Sequence, residues 1–175
     1  MVPQVTAMCK LAFYHLHKIS VIRKYLTFDA AQLLVHALIT SKLDYCNSLL
    51  YGLPKHVTKQ LQRVQNAAAR IVSLSPKFCH ITPVLMSLHW LPIDLRIEFK
   101  ILITYKTLHG LAPAYIEDLL DSYIVGRYLR SAEKNLLAVP GFKLNSYGRR
   151  AFSVAAPLLW NSLPQHVRDA ESLDI

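Results

Sequence analysis

Four basic side chains recur at helical spacing within one short segment of the chain, PKHVTKQLQRVQNAAARIVS. Lys55, Lys59 and Arg63 are four residues apart, and Arg70 lies seven residues further along. At 100° per residue, all four fall within about 80° of one another on a helix. Lysine and arginine on one helix face are typical of contacts with nucleic-acid phosphates, which bind without reading the bases. The spacing therefore predicts a phosphate-binding face.

An apolar stripe occupies the other side of the same predicted helix, which begins at Pro54. The members of this stripe are Val57, Leu61, Val64, Ala68 and Ile71. The segment contains no Asp or Glu, and like charges four residues apart cost a few tenths of a kcal/mol in an isolated helix. An external anion would offset that repulsion. The alternative is a basic face that is simply solvated.

A second pair of cations, Arg149 and Arg150, stands in SYGRRAFSVAAPLLWNSLP. We expect Ser146 to cap a helix that begins at about Gly148, which puts both arginines in its first turn. The helix dipole disfavours cations there, so the position predicts a phosphate or carboxylate partner.

The apolar part of that stretch predicts a packing surface. Pro157 is expected to kink or restart the helix, and base stacking by Trp160 is the alternative to packing. The predicted packing residues are Phe152, Leu158, Leu159 and Trp160.

The charge balance also points to a polyanion. Twenty Lys and Arg face eleven Asp and Glu, which gives a net charge of +9. Most of the surplus lies in residues 1–25, 54–80 and 127–150. Nucleic acid is favoured over an anionic membrane. We expect no transmembrane helix and no secretion signal, and therefore an intracellular location, cytoplasmic or nuclear.

The cysteines do not predict a disulfide framework or a metal site. Cys9, Cys46 and Cys79 are three in number, widely spaced, and without a C-x-x-C pair. Cys79 and His80 could ligate a metal only with distant residues, such as Cys46 and His89. Buried thiols are the favoured interpretation.

No signature of catalysis or of cofactor binding is present. The chain lacks the G-x-S-x-G, H-E-x-x-H, P-loop and dinucleotide-binding motifs. Glu117, Asp118 and Asp121 are interpreted as partners of a helix dipole rather than as magnesium ligands. We therefore expect no catalytic residue, no metal and no cofactor.

The segments that must position these residues are predicted to be mainly α-helical. Three helices, Val5–Arg23, Phe28 to about Leu50 and Pro54–Ser73, have short connections and should pack as a bundle. Thr27 is a plausible cap for the second. This thumb-like bundle defines a first predicted domain, residues 1–75.

Residues 76–121 form the second predicted domain, also helical, with helices at 82–88, 92–108 and 113–121. The middle helix is preferred despite alternating apolar residues, because Pro92 and Gly110 bound a segment too long for an ordinary strand. The apolar content of Pro83 to Leu120 predicts a surface for a protein partner. Residues 122–175 are predicted to be irregular and basic, with at most one short hairpin and truncated C-terminal helices.

The order of four long blocks resembles a known family. LAFYHLHKISVIRKYLTFDAAQLLVHALITSKLDYCNSLLYGLP, LQRVQNAAARIV, HITPVLMSLHWLPIDLRIEFKILITYKTLHGLAPAYI and SYGRRAFSVAAPLLWNSLP are similar to the C-terminal part of LINE-type non-LTR retrotransposon polyproteins of the jockey-like group. The resemblance covers about Cys9 to Leu173. It implies a reverse transcriptase thumb up to about Ser75, followed by the segment that succeeds the thumb.

The resemblance does not imply polymerase activity. That reaction needs metal-binding palm aspartates of a Tyr-x-Asp-Asp motif, which lie upstream of the matched region, and this chain has no Asp-Asp pair. The expected function is therefore that of a non-catalytic fragment that binds template and primer through its basic helix. The alternative is a structural or protein-interaction module, or a non-functional relic, that packs on a missing palm or on a partner protein.

Overall fold

The computed structural model describes residues 2–45, 47–123, 135–144 and 148–170. Within these ranges the chain is mainly helical and contains no strand, which confirms the predicted fold class. The helices are α1 (Val2–Ile22), α2 (Phe28–Val35), α3 (Ser41–Asp44), α4 (Lys55–Ser73), α5 (Ile81–Ser87), α6 (Ile93–Glu98), α7 (Lys100–Leu108), α8 (Ala114–Glu117), α9 (Phe152–Ser162) and α10 (Gln165–Arg168). Three 3₁₀ turns lie at Arg23–Tyr25, Asn47–Leu50 and Gly148–Arg150.

The chain divides into two compact units, Met1–Ile97 and Glu98–Ile175. This boundary differs from the predicted ones after residues 75 and 121. Helix α5, together with Ile93 and Ile97 of α6, supplies side chains to the same core as the N-terminal helices. The segment from Pro76 to Ile97 therefore completes the first unit, because its apolar residues are buried there.

Helices α1, α2 and α4 pack against one another in the first unit, as the predicted bundle requires. The Thr27 hydroxyl accepts a hydrogen bond from the Ala30 amide, which confirms the predicted cap of α2. A π-helical turn, His36–Thr40, joins α2 to α3. The second predicted helix therefore ends at Asp44, earlier than the expected Leu50, and a short 3₁₀ turn follows it.

Helix α4 follows its amphipathic pattern closely. Pro54 precedes its first residue, and the first four residues of the predicted apolar stripe are fully buried, while Ile71 is half-buried against the core. The helix ends at Leu74, whose φ of 55° places it in the left-handed region that usually favours glycine. The next amide, that of Ser75, donates back to the Arg70 carbonyl at 3.1 Å.

Two glutamines on α4 hold the chain between α5 and α6. The buried Gln65 side chain donates to the Leu91 carbonyl at 2.8 Å, and the Gln62 side-chain oxygen accepts from the Ile93 amide at 2.8 Å. Because Gln62 also donates to Gln65, the two side chains form one network. This network attaches the start of α6 to the flank of α4.

The predicted helix from Pro92 to Leu108 is realised as α6 and α7, with Phe99 between them. Helix rather than strand is confirmed, but the single continuous helix was wrong. Phe99 keeps right-handed helical dihedrals, and its carbonyl accepts from both Leu102 and Ile103, so the interruption is a local change of hydrogen bonding. Gly110, with φ of 68°, follows α7 and ends it as expected.

In the second unit, α9 is continuous through Pro157, so the helix does not restart there. A 3₁₀ turn precedes α9, and Ala151 rather than Ser146 occupies its cap position. Ser146 itself lies outside the described residues. Ser122 and Leu137 form one isolated antiparallel bridge, which is the extent of β pairing found in the described ranges.

Candidate nucleic-acid interface

The outward side of α4 carries three exposed cations in a row, Lys55, Lys59 and Arg63. At 1.5 Å per residue, neighbouring members of the row are about 6 Å apart along the helix axis. Within the described part of the chain, no carboxylate forms an ion pair with any of them; the pair found there joins Arg96 to Asp44 at 2.7 Å. The row is therefore available to an external anion.

The position of Lys55 favours an anion at this end of α4. Lys55 is the first residue of the helix, where unpaired amides and the dipole give a partial positive charge. A cation is disfavoured at that position, whereas a phosphate can be bound by the helix end and the ammonium group together. The first turn is therefore the most electropositive part of the row.

Arg70 differs from the other three predicted contacts. Its Nη2 donates to the Cys79 carbonyl at 3.3 Å, and its Nε is buried without a hydrogen-bond partner among the described residues. The side chain is half-buried, because the left-handed turn at Leu74 brings the following chain back across it. Arg70 thus attaches the 74–80 segment to α4, and the freely exposed row consists of three residues.

Arg149 and Arg150 belong to the second unit, whereas the α4 row belongs to the first. They lie in the 3₁₀ turn Gly148–Arg150, just before α9 rather than inside its first turn. Arg149 is exposed and Arg150 is half-buried. Their contact with an anion remains a prediction that rests on the sequence.

Arg23 is a basic residue whose role the sequence did not indicate. Its side chain is only 7% exposed and donates from Nε to the Ile71 carbonyl at 2.9 Å and from Nη2 to the Val72 carbonyl at 2.7 Å. Nη1 donates to the Leu26 carbonyl at 2.8 Å. Arg23 therefore binds carbonyl groups at the C-terminal end of α4 and is not part of a nucleic-acid surface.

The cysteines show a mixed pattern. Cys9 is buried in the first core, and burial raises the pKa of its thiol. Cys79 is exposed, so its interpretation as a buried thiol was wrong, and Cys46 lies outside the described residues. In the ranges that the structure describes, no three His, Cys, Asp or Glu side chains are grouped to hold a metal ion.

The apolar segment Pro83 to Leu120 is divided between the two units. Its first part contributes Val84, Leu85, Leu88, Trp90, Ile93 and Ile97 to the first core. In its second part Leu111, Tyr115 and Leu119 remain exposed. Met86, Leu91 and Leu95 of the first part are exposed as well. Exposed apolar side chains thus remain in both units, and the partner itself stays a prediction.

Lys100 in α7 is expected to make stability depend on pH. It is 3% exposed, and desolvation lowers its pKa from 10.5 to about 8. Between these values the unfolded chain binds more protons than the folded chain, so stability should rise as the pH increases from about 8 to 10.5. At pH 7 the buried charge costs up to about 3 kcal/mol.

We therefore expect the stability of the unmodified protein, relative to Lys100→Met, to rise as the pH increases from about 8 to 10.5. Urea unfolding at a series of pH values measures that difference. Lys106→Met, in the exposed part of the same helix, is the control and should show no such trend. A difference for Lys100→Met that is independent of pH would contradict the buried charge.

Comparison of the chain with protein-family models, with curated proteins and with solved structures found no match. In the described part of the chain, no helix combines the length and the apolar character that a membrane span requires.

Proposed function

We infer that this chain binds the sugar–phosphate backbone of nucleic acids without sequence preference, through Lys55, Lys59 and Arg63 on α4. The observation that carries the proposal is an exposed row of three cations with no acidic partner in the described residues. Phosphate contacts of this kind supply affinity and orientation, whereas base contacts supply specificity. The chain is proposed to act as a binding module and not as an enzyme.

The resemblance to LINE-type reverse transcriptases gives this activity a context. The chain would correspond to the thumb and the segment after it, without the palm aspartates that hold catalytic metals. The packing of α1, α2 and α4 supports the proposal, because a thumb is a helical bundle along which template and growing strand lie. An intracellular location, cytoplasmic or nuclear, belongs to the same proposal.

The charge of the row leads to a quantitative expectation. Three phosphate contacts on a duplex should give a slope of about −3 for the logarithm of affinity against the logarithm of salt concentration. The triple variant Lys55→Gln, Lys59→Gln, Arg63→Gln should weaken binding at least about tenfold at low salt and remove most of that slope. Fluorescence anisotropy with labelled 20-base-pair duplexes of several sequences measures both quantities.

A matched variant separates this row from the general charge of the protein. This variant removes the same number of positive charges from exposed positions outside the row, by the changes Lys77→Gln, Lys106→Gln and Lys143→Gln. We expect it to bind duplex within about threefold of the unmodified protein. Equal losses in the two triple variants would reduce the interaction to net charge and refute the proposed interface.

A further inference from the structure

The outward side of α1 combines cations with aromatic rings. Lys10, Tyr14 and Lys18 are spaced four residues apart and lie within about 80° of one another on the helix. They lie opposite the buried stripe, which consists of Val5, Cys9, Ala12, Leu16 and Ile19. A cation, a ring and a second cation thus follow one another over about 12 Å of exposed helix.

The 3₁₀ turn after α1 carries a second pair of an aromatic ring and a cation. Tyr25, in the 3₁₀ turn after α1, is 78% exposed, and Tyr14 is 57% exposed. Lys18 Nζ lies 5.5 Å from the centroid of the Tyr14 ring, and Lys24 Nζ lies 4.8 Å from that of Tyr25. Each exposed ring therefore has an ammonium group over one of its faces.

The charged side chains of this surface are all positive. Residues 1–25 contain four basic side chains and no acidic one. Since Arg23 is buried, the three remaining cations, Lys10, Lys18 and Lys24, are exposed along α1 and the turn that follows it. The charge complements an anionic polymer, and the rings add a flat apolar surface that phosphate contacts alone would not need.

We propose that this α1 surface, defined by Lys10, Tyr14, Lys18, Lys24 and Tyr25, binds single-stranded nucleic acid. Proteins that bind single strands without sequence preference combine positive charge along the backbone with aromatic rings on which bases stack. Here a base stacked on the ring face of Tyr14 or Tyr25 that the lysine does not cover leaves its phosphate within reach of that lysine. The two rings are about 17 Å apart along the helix, a span of about five nucleotides at duplex spacing and of fewer in an extended strand.

The α4 row has a different character, which keeps the two sites distinct. Helix α4 contains no Phe, Tyr or Trp, so its exposed cations can contact phosphates but offer no ring for stacking. An anionic membrane surface fits α1 less well than a single strand does. The continuous apolar stripe of α1 is buried in the bundle. Its exposed apolar side chains, which include Leu11, Phe13 and Ile22, are spread over about 180° of the helix and form no stripe that could enter a membrane.

Two probes with equal phosphate charge test the role of the rings. We expect the protein to bind a fluorescein-labelled dT12 strand about tenfold more tightly than a 12-mer of abasic sites, because only dT12 carries bases to stack. Tyr14→Ala, Tyr25→Ala should reduce that ratio to near one. Tyr14→Phe, Tyr25→Phe retains the rings and should preserve the ratio.

The remaining variants separate this site from the α4 interface. Lys10→Gln, Lys18→Gln should weaken binding of both probes to the same extent, while the α4 triple variant should leave their ratio unchanged and lose duplex binding. Thermal unfolding of the tyrosine variants checks the fold, which exposed positions should leave intact. Equal affinity of the unmodified protein for dT12 and the abasic strand would overturn the α1 proposal without affecting the α4 proposal. Tyrosine-dependent binding to vesicles of phosphatidylserine and phosphatidylcholine, without the preference for dT12, would also overturn it.

Discussion

Replacement of Arg23 by methionine is expected to lower the free energy of unfolding by about 3 to 5 kcal/mol. The guanidinium group donates three hydrogen bonds, two to carbonyls of the last turn of α4 and one to Leu26. Methionine keeps an apolar stem of similar length but cannot donate. The variant therefore removes the donor from the buried bond to the Val72 carbonyl and from the part-buried bonds to the Ile71 and Leu26 carbonyls.

Geometry explains why one arginine is needed at this place. The last four carbonyls of a helix have no partner within the helix. At the end of α4 the Arg70 carbonyl accepts from Ser75, while the Ile71 and Val72 carbonyls accept from Arg23. The two donors of the guanidinium fork match two adjacent carbonyls, and the positive charge suits the negative end of the helix dipole.

Urea unfolding followed by far-ultraviolet circular dichroism measures the loss. Lys24→Met removes the neighbouring cation, which is exposed, and should change the free energy by less than about 0.5 kcal/mol. Arg23→Lys should be intermediate, since one ammonium group cannot reach all three oxygens. If the midpoints of Arg23→Met and Lys24→Met coincide, the bonds to α4 contribute nothing to stability.

Arg23 also illustrates what the sequence could not predict. In the sequence it belongs to a cluster with Lys18 and Lys24, and a cation at the end of α1 has a sufficient local explanation in the dipole of that helix. Its actual partners are 48 and 49 residues further along the chain. No periodic pattern encodes a bond between a side chain and a distant carbonyl, because any residue supplies a carbonyl.

Helix α4 is the opposite case. Its apolar and basic residues have strict helical periodicity, and Pro54 marks its start, so the helix, its buried side and its exposed row were all predicted correctly. The sequence did not predict the surroundings of Arg70, which is half-buried and donates to the Cys79 carbonyl, because these depend on the path of the chain after the helix. Leu74, in the left-handed conformation, turns the chain at the end of α4. Glycine is the usual sequence signal for such a turn, and leucine is not.

The C-terminal boundary of the first unit could not be predicted from the sequence for a related reason. The three predicted helices and the resemblance to a thumb both placed the end of the first domain at about Ser75. Gln62 and Gln65 instead bond to the chain at 91–93 and make it part of the first unit. On α4 these glutamines look like ordinary solvated residues, so their partners became evident only in three dimensions.

Replacement of Trp160 by alanine is the second large expected effect, a loss of about 3 to 5 kcal/mol in the second unit. Trp160 is 2% exposed and packs with Tyr105 and Leu137 in a small core. Its Nε1 donates to the Asn135 carbonyl at 2.8 Å, so the substitution removes both the ring and a buried hydrogen bond. Packing is thus confirmed, and an accessible ring for base stacking is not present at this position.

Because that core is small, few other contacts compensate for the loss of the Trp160 side chain. Trp160 lies beside Asn161, whose side chain exchanges two hydrogen bonds with the Leu137 backbone, so the same turn of α9 holds this segment by both its ring and its amide. Trp160→Phe keeps a ring and should lose about half as much, while Leu158→Ala, at a half-buried position two residues away, should lose less. Hydrogen exchange resolved to the peptides of α7 and α9 measures these losses as faster exchange. Unchanged protection in Trp160→Ala would mean that the second unit is held together by contacts other than this core.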